Sequence, residues 1–191
     1  MDANDGLRYE ISAVVGRRGV LGRLARAHPE AHVVGLDVGD FALMPVLPPL
    51  TDLTLPALCA LGLVEVPGGS REAVSHRREL VTGRESGFVV LTPGLAALIE
   101  AASATAALAY IEADYHARHG RQAAAVWQFG RLVLGPILLG SNEEFDPATA
   151  PISLALSVLG VPGPPEGTFL LAGLGRHRRT ARWASAGRSE P

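Results

Sequence analysis

Lysine is absent from this chain: all 17 cationic side chains are arginine. We read that absence as a coding bias towards GC-rich codons, because the arginines are mostly scattered rather than gathered for bidentate anion contacts. Cysteine occurs once, at Cys59, so no internal disulfide can form. Its apolar setting, Leu58-Cys59-Ala60-Leu61, fits a buried small hydrophobe better than a reactive thiol. Neither charge sign dominates: the formal net charge is −2, which excludes a global field attracting nucleic acid or anionic membrane. No apolar run reaches the ~18 residues of a membrane span. The opening Met1-Asp2-Ala3-Asn4-Asp5-Gly6 lacks a basic stretch followed by an apolar one, so no secretory leader is expected. Nucleophile elbows, phosphate-binding loops and paired-histidine zinc motifs are missing as well. A soluble, cytoplasmic protein is the expectation these absences leave.

What is present fits one packed body. At 191 residues with 48% hydrophobic side chains, the chain can bury a core without a metal or disulfide staple. Tyr9 to Val15 is a β-rich first strand. Val20, Leu21, Leu24 and Ala25 recur at helical spacing, and His28-Pro29 ends that helix. His32–Leu36 and Phe41–Val46 are short strands around the turn Asp37-Val38-Gly39-Asp40. Thr54 and Pro56 start a short helix that ends near Gly62. Residues 67–87 mix both charge signs between Gly-rich ends and are expected to be an exposed insertion or loop, with one weak helix near Glu72–Leu80. Phe88–Leu91 is a candidate strand. Thr92-Pro93 then opens a helix whose buried stripe is Leu95, Leu98, Ile99 and Ala102, continuing to about Ala106.

Residues 109–136 read as a three-stranded meander, followed by an acidic loop at 141–146. Pro151 opens a helix with stripe Ile152, Ala155, Leu156 and Leu159 and a stop at Gly160. Pro162 to Gly167 is a stiff connector. Hairpin-length connections dominate, which favours α+β with a mainly antiparallel sheet and about three helices. The expected domain spans 1–183, with a disordered tail at 184–191.

The meander concentrates the polar chemistry. Side chains alternate between faces in a strand, so Tyr110, Glu112, Asp114 and His116 share one face. One register sets Arg121, Ala123, Ala125 and Trp127 beside them; a shift by one residue substitutes Gln122, Ala124, Val126 and Gln128. Both registers stay open. Three readings of this face compete. It can be the solvated face of an antiparallel sheet, with Asp114 and Arg121 as a cross-strand pair. It can be a trough, walled by Tyr110 and Trp127, that recognises a protein or small ligand. Or Glu112, Asp114, His116 and His119 can hold a metal, with one carboxylate left as a general base.

The stretch Arg176-His177-Arg178-Arg179-Thr180-Ala181-Arg182-Trp183 gathers four arginines. Guanidinium groups match phosphate oxygens bidentately, so Arg176, Arg178 and Arg179 are weak anion-binding candidates. The blander alternative packs Leu174 and Trp183 on the body and leaves the arginines wet, with counter-charge from the acidic loop.

Ala109-Tyr110-Ile111-Glu112-Ala113-Asp114-Tyr115, then Gly120-x-Gln122-Ala123-Ala124-x-Val126-Trp127 and Gly135-Pro136, form a distinctive series. The ending Gly173-Leu174-Gly175-Arg176-His177-Arg178 and the opening Ile11-Ser12-Ala13-Val14-Val15 accompany it. In these segments the chain resembles a family of small uncharacterised bacterial proteins of actinobacterial type. The resemblance implies a shared fold and no known activity. The family pattern has an aromatic and glycines where this chain has His116-Ala117-Arg118-His119, which argues against a shared metal site there. Glu112, Gln122 and Trp127 match it; a buried Gln122 satisfying backbone groups would leave the same trace.

The expectation drawn from all this is a non-enzymatic cytoplasmic binding protein using the polar face of 109–136. Its partner would be another protein, a neutralised toxin being one example. The candidate binding residues are Tyr110, Glu112, Asp114, Gln122 and Trp127. No cofactor, metal, membrane or nucleic acid is expected. The alternative is a metal-dependent or carboxylate-based hydrolase centred on Glu112 and Asp114, with His116 and His119 as its weak metal ligands.

Overall fold

The computed structural model describes residues 8–48, 50–52, 87–116, 119–141 and 143–188. Six strands form one sheet: β1 (Arg8–Arg17), β2 (Val34–Gly35), β3 (Phe41–Pro45), β4 (Leu108–His116), β5 (His119–Gln128) and β6 (Arg131–Leu139). Their order is β2-β3-β1-β4-β5-β6, and every pairing is antiparallel. Five α-helices accompany them among the described residues: α1 (Arg18–Ala27), α2 (Pro93–Ala102), α3 (Pro151–Val158), α4 (Pro165–Leu171) and α5 (Thr180–Gly187). The expected α+β class with an antiparallel sheet is what the chain forms, with more helices than the three expected.

The sheet carries a core on each face, and period-2 alternation sorts the side chains between them. Val14, Met44, Leu108, Tyr110, Ala125 and Trp127 face α1 and α2, meeting Leu21, Leu24, Leu95 and Ile99. Ile11, Val15, Leu43, Ile111, Ala124 and Val126 face the other way, meeting Ile152, Leu156 and Trp183 from α3 and α5. Each fully buried Leu or Ile contributes about 1.5–3 kcal/mol of transfer free energy. Among the described residues no helix is long and apolar enough to cross a membrane.

Local chemistry sets the helix ends. The Thr92 hydroxyl accepts from the Leu95 N–H at 3.3 Å, with Pro93 in the first turn, as the sequence leads one to expect. This helix stops at Ala102, short of Ala106. Helix α3 starts at Pro151, buries Ile152, Ala155, Leu156 and Leu159, and turns at Gly160, where φ is +79°.

Four expectations need correcting. Phe88–Leu91 is not a strand but an irregular segment of bends laid over the α2 face of the sheet. The connector at 162–167 turns into α4 at Pro165; the exposed Leu170 and Leu171 hide it, because they break the one-sided apolar pattern that marks a helix. Residues 184–187 are helical rather than tail, since α5 runs to Gly187 with Ala184 buried. Its buried residues are Thr180, Trp183 and Ala184, with only two apolar positions to mark a helical period. Finally, the strand expected at His32–Leu36 reduces to Val34–Gly35. The helix expected at 54–62, Cys59, the insertion at 67–86 and the turn residues Ala117 and Arg118 lie outside the described residues.

Candidate functional site

In the meander, β4 and β5 pair as Tyr110↔Ala125, Glu112↔Ala123 and Asp114↔Arg121. This is the first of the two open registers. It puts Glu112 on the face covered by α2 and the 87–91 segment, so the expected trough is closed to solvent. Tyr110 is 0%, Glu112 2% and Trp127 2% exposed. The physical reason is the second helical layer: this antiparallel sheet is covered on both faces, whereas many present one face to water.

Glu112 is the hub of that buried face. Its carboxylate accepts the Val89 N–H at 2.8 Å on Oε2, and the Val90 and Leu91 N–H groups at 2.8 and 3.0 Å on Oε1. The Tyr110 hydroxyl donates to Oε1 at 2.9 Å, and Arg121 Nη2 approaches Oε2 at 3.5 Å. Arg121 also donates from Nη1 to the Gly87 carbonyl at 2.8 Å. Three successive backbone N–H groups converge on one anion, as in an anion-binding nest, but the anion is supplied by the chain itself. The segment before α2 has no strand partner, and its buried donors need acceptors. Phe88 closes the arrangement edge-on to Tyr110, ring centroids 5.3 Å apart. Burial, reinforced by the Glu112 charge, pushes the Tyr110 phenol well above its ordinary pKa, so it stays a donor.

The remaining candidates disperse. Asp114 does not pair with Arg121 across the strands, since Arg121 turns to Glu112 and Gly87. Asp114 instead forms a two-pronged pair with Arg8, both contacts 3.0 Å. Asp114 first and Glu10 second raise the Arg8 pKa. Gln122 is buried on the opposite face, where its side-chain oxygen meets the Ile152 N–H at a long 3.5 Å. It thus serves the first turn of α3, whose N-cap Ala150 has no side-chain acceptor. His116 and His119 are partners across the hairpin and exposed. Among the described residues no three His, Cys, Asp or Glu side chains come together to hold a metal, so the four-residue metal cluster is not assembled.

Two of the concavities among the described residues include sequence-predicted candidates. One of about 280 Å³ is lined by Tyr115, Arg121, Gln122, Leu139, Glu143 and Phe145, among others. The other, broader and more open, is about 610 Å³ and carries Arg176, His177, Arg178, Arg179 and Arg182. The structure therefore does gather the C-terminal arginines. Arg176 takes its counter-charge from Asp37 at 3.0 Å, not from the acidic loop. Leu174 and Trp183 pack into the body as expected.

Sequence reasoning missed Phe129. It occupies the two-residue turn between β5 and β6, flanked by the pair Gln128↔Arg131. Phe129 and Gly130 have φ of +53° and +67°, the type I′ geometry that suits Asn-Gly. Phe129 is nonetheless 71% exposed. The available signal was a bulky residue before glycine between two strands.

No protein-family model, curated protein or solved structure matches this chain.

Proposed function

We propose that this chain is a non-enzymatic cytoplasmic binding protein that engages a protein partner through the tip of the β5–β6 hairpin, with Phe129 as anchor. The observation that carries this reading is the conflict at Phe129 itself. A bulky residue in the left-handed region costs roughly 1–2 kcal/mol, and at 71% exposure little burial offsets it. Such strain at an exposed aromatic is what an interface anchor would explain, since hot spots are enriched in large side chains that fill a partner's pocket. The tip is also tied to the body: the Phe129 N–H donates to the Ser103 carbonyl at 2.9 Å.

The hydrolase alternative draws no support from the geometry. The lone pairs of Glu112 are occupied by five donors, and Asp114 is paired with Arg8. Neither carboxylate is placed to take a substrate proton.

Phe129→Asn tests the reading, because it converts the turn to Asn-Gly. The variant is expected to gain about 1 kcal/mol of stability and to lose the partner that the wild-type protein retains in a crosslinking pull-down. Undiminished capture by a well-folded Phe129→Asn protein would overturn the assignment.

A further inference from the structure

We propose that the cavity at the turn end of the β4–β5 hairpin binds a small organic cation with an apolar body. The cavity holds about 280 Å³, near the lower end of small-ligand sites. Strand pairing explains why it exists. Tyr115 lies opposite Gly120, and Gln122 lies opposite both Ala113 and Leu139, so period-2 alternation puts Tyr115, Gln122 and Leu139 on the α3 face. Gly120, on the same face, contributes no side chain and leaves a bare floor between them. A side chain is excluded there, since a β-carbon would come 2.3 Å from the Tyr115 Cα.

Two aromatic rings and one carboxylate border this floor. Tyr115 is braced by stacking on Tyr9 at 5.0 Å, and Phe169 meets Tyr9 edge-on at 5.5 Å. Phe145 meets Tyr115 at 6.3 Å with a 39° tilt. Phe145 is 43% exposed, so the two rings form a corner that still offers aromatic surface. The Glu143 N–H donates to the Gly140 carbonyl at 3.1 Å. Its carboxylate folds back over the end of β6, where a β-carbon added at Gly140 would lie 3.5 Å from Oε1. Glu143 is the only carboxylate lining the cavity among the described residues, and no cation among them pairs with it.

The ligand class follows from which charges are already committed. Arg121 borders the cavity, but its guanidinium is held by Glu112 and the Gly87 carbonyl. It is therefore not available to receive an anion. Arg178 acts electrostatically on Tyr115 from outside the lining. Glu143 is left as the uncompensated charge at the rim. The faces of tyrosine and phenylalanine attract cations through the ring quadrupole, so rings and carboxylate favour the same sign of ligand. Leu139 and the two rings supply apolar surface that the body of such a ligand would cover.

NMR titration of the full chain with phenethylammonium chloride tests this. It is run beside the neutral phenethyl alcohol, the anion hydrocinnamate and a lysine blocked at both backbone ends. Saturable binding of the cation is expected, with shifts centred on the amides of Tyr115, Gln122, Leu139 and Phe145. The cation is expected to bind at least about tenfold tighter than the alcohol or the anion. Glu143→Gln, an exposed position checked by an unchanged melting curve, is expected to weaken the cation at least about threefold and leave the alcohol unchanged. Phe145→Ala is expected to weaken both. Any of five results would overturn the proposal: no saturable binding, shifts centred elsewhere, wild-type affinity for the cation in Glu143→Gln, equal or tighter binding of the alcohol or anion, or tighter binding of the blocked lysine, which would assign the site to a protein side chain.

Discussion

Glu112 shows how one side chain can be wholly spent on structure. A buried carboxylate is costly unless hydrogen bonds replace its hydration, and here five donors do so. The same bonds fix residues 87–91 on the sheet just before α2. Removing the carboxylate would leave three backbone donors, a phenol and a guanidinium without their acceptor. Glu112→Ala is expected to cost about 3–5 kcal/mol. Glu112→Gln is expected to cost less, because its carbonyl can still serve one group of donors while its amide opposes the rest. Urea unfolding midpoints would measure both; a Glu112→Ala midpoint near that of the wild type would refute this account of the hub.

At the scale of elements, the N-terminal half of β1 illustrates how an incomplete strand edge is sealed. β3 pairs with β1 only from Ala13 onwards; the Ser12 carbonyl still accepts from the Val46 N–H at 2.8 Å, but the Glu10 and Ser12 N–H groups find no acceptor on β3. Residues 178–180 fill the gap: the Arg178 carbonyl accepts from Glu10, and the Thr180 hydroxyl accepts from the Ser12 N–H. The same hydroxyl, the first residue of α5, lies 3.4 Å from the Glu10 carbonyl. One threonine thus ties the last helix to the first strand. Thr180→Val keeps the shape and removes the acceptor, so it is expected to cost about 1–2 kcal/mol. It should also speed hydrogen exchange at the Ser12 amide; unchanged exchange there would argue against the bridge. On the opposite side, β6 is the outer strand of the sheet, and its two register shifts against β5 interrupt the regular row of backbone groups that an edge would offer to another chain.

Across the whole molecule, two helical layers around one sheet enclose titratable rings. Tyr9 is buried, stacks on Tyr115 at 5.0 Å and donates to the Leu174 carbonyl at 3.0 Å. Burial chiefly, then the neighbouring Tyr115, pushes its pKa well above the ordinary value. Tyr110 is raised for the reasons given above, and Tyr115 is raised by burial. A raised folded-state pKa gives stability that is fully present below the unfolded tyrosine pKa of about 10. Above that pH the unfolded chain loses its phenolic protons while the folded one keeps them, so stability falls as pH rises towards the folded values. Thermal melts between about pH 8 and about pH 11 are expected to show this decline. Tyr9→Phe should start about 1 kcal/mol lower through the lost hydrogen bond and decline less steeply. An identical slope in the two proteins would contradict the assignment to Tyr9.

The sequence alone determined the α+β class, the Thr92 cap, the helix at Pro151 and the grouping of Tyr110, Glu112 and Asp114 on one face. These rest on local geometry: side-chain period, capping hydroxyls, prolines and glycines act within a few residues. Only the tertiary structure decided which register β5 takes, that the Tyr110 and Glu112 part of the polar face of β4 is interior, and that Arg121 serves Glu112 while Arg8 serves Asp114. It also decided that Gln122 meets α3, that Thr180 meets β1, and that Phe129 stands out in water while four arginines gather round one depression. Those outcomes depend on groups distant in the chain, such as Arg8 and Asp114, 106 positions apart. Alternation along a strand separates two faces, but it does not say which one a second layer of helices will cover.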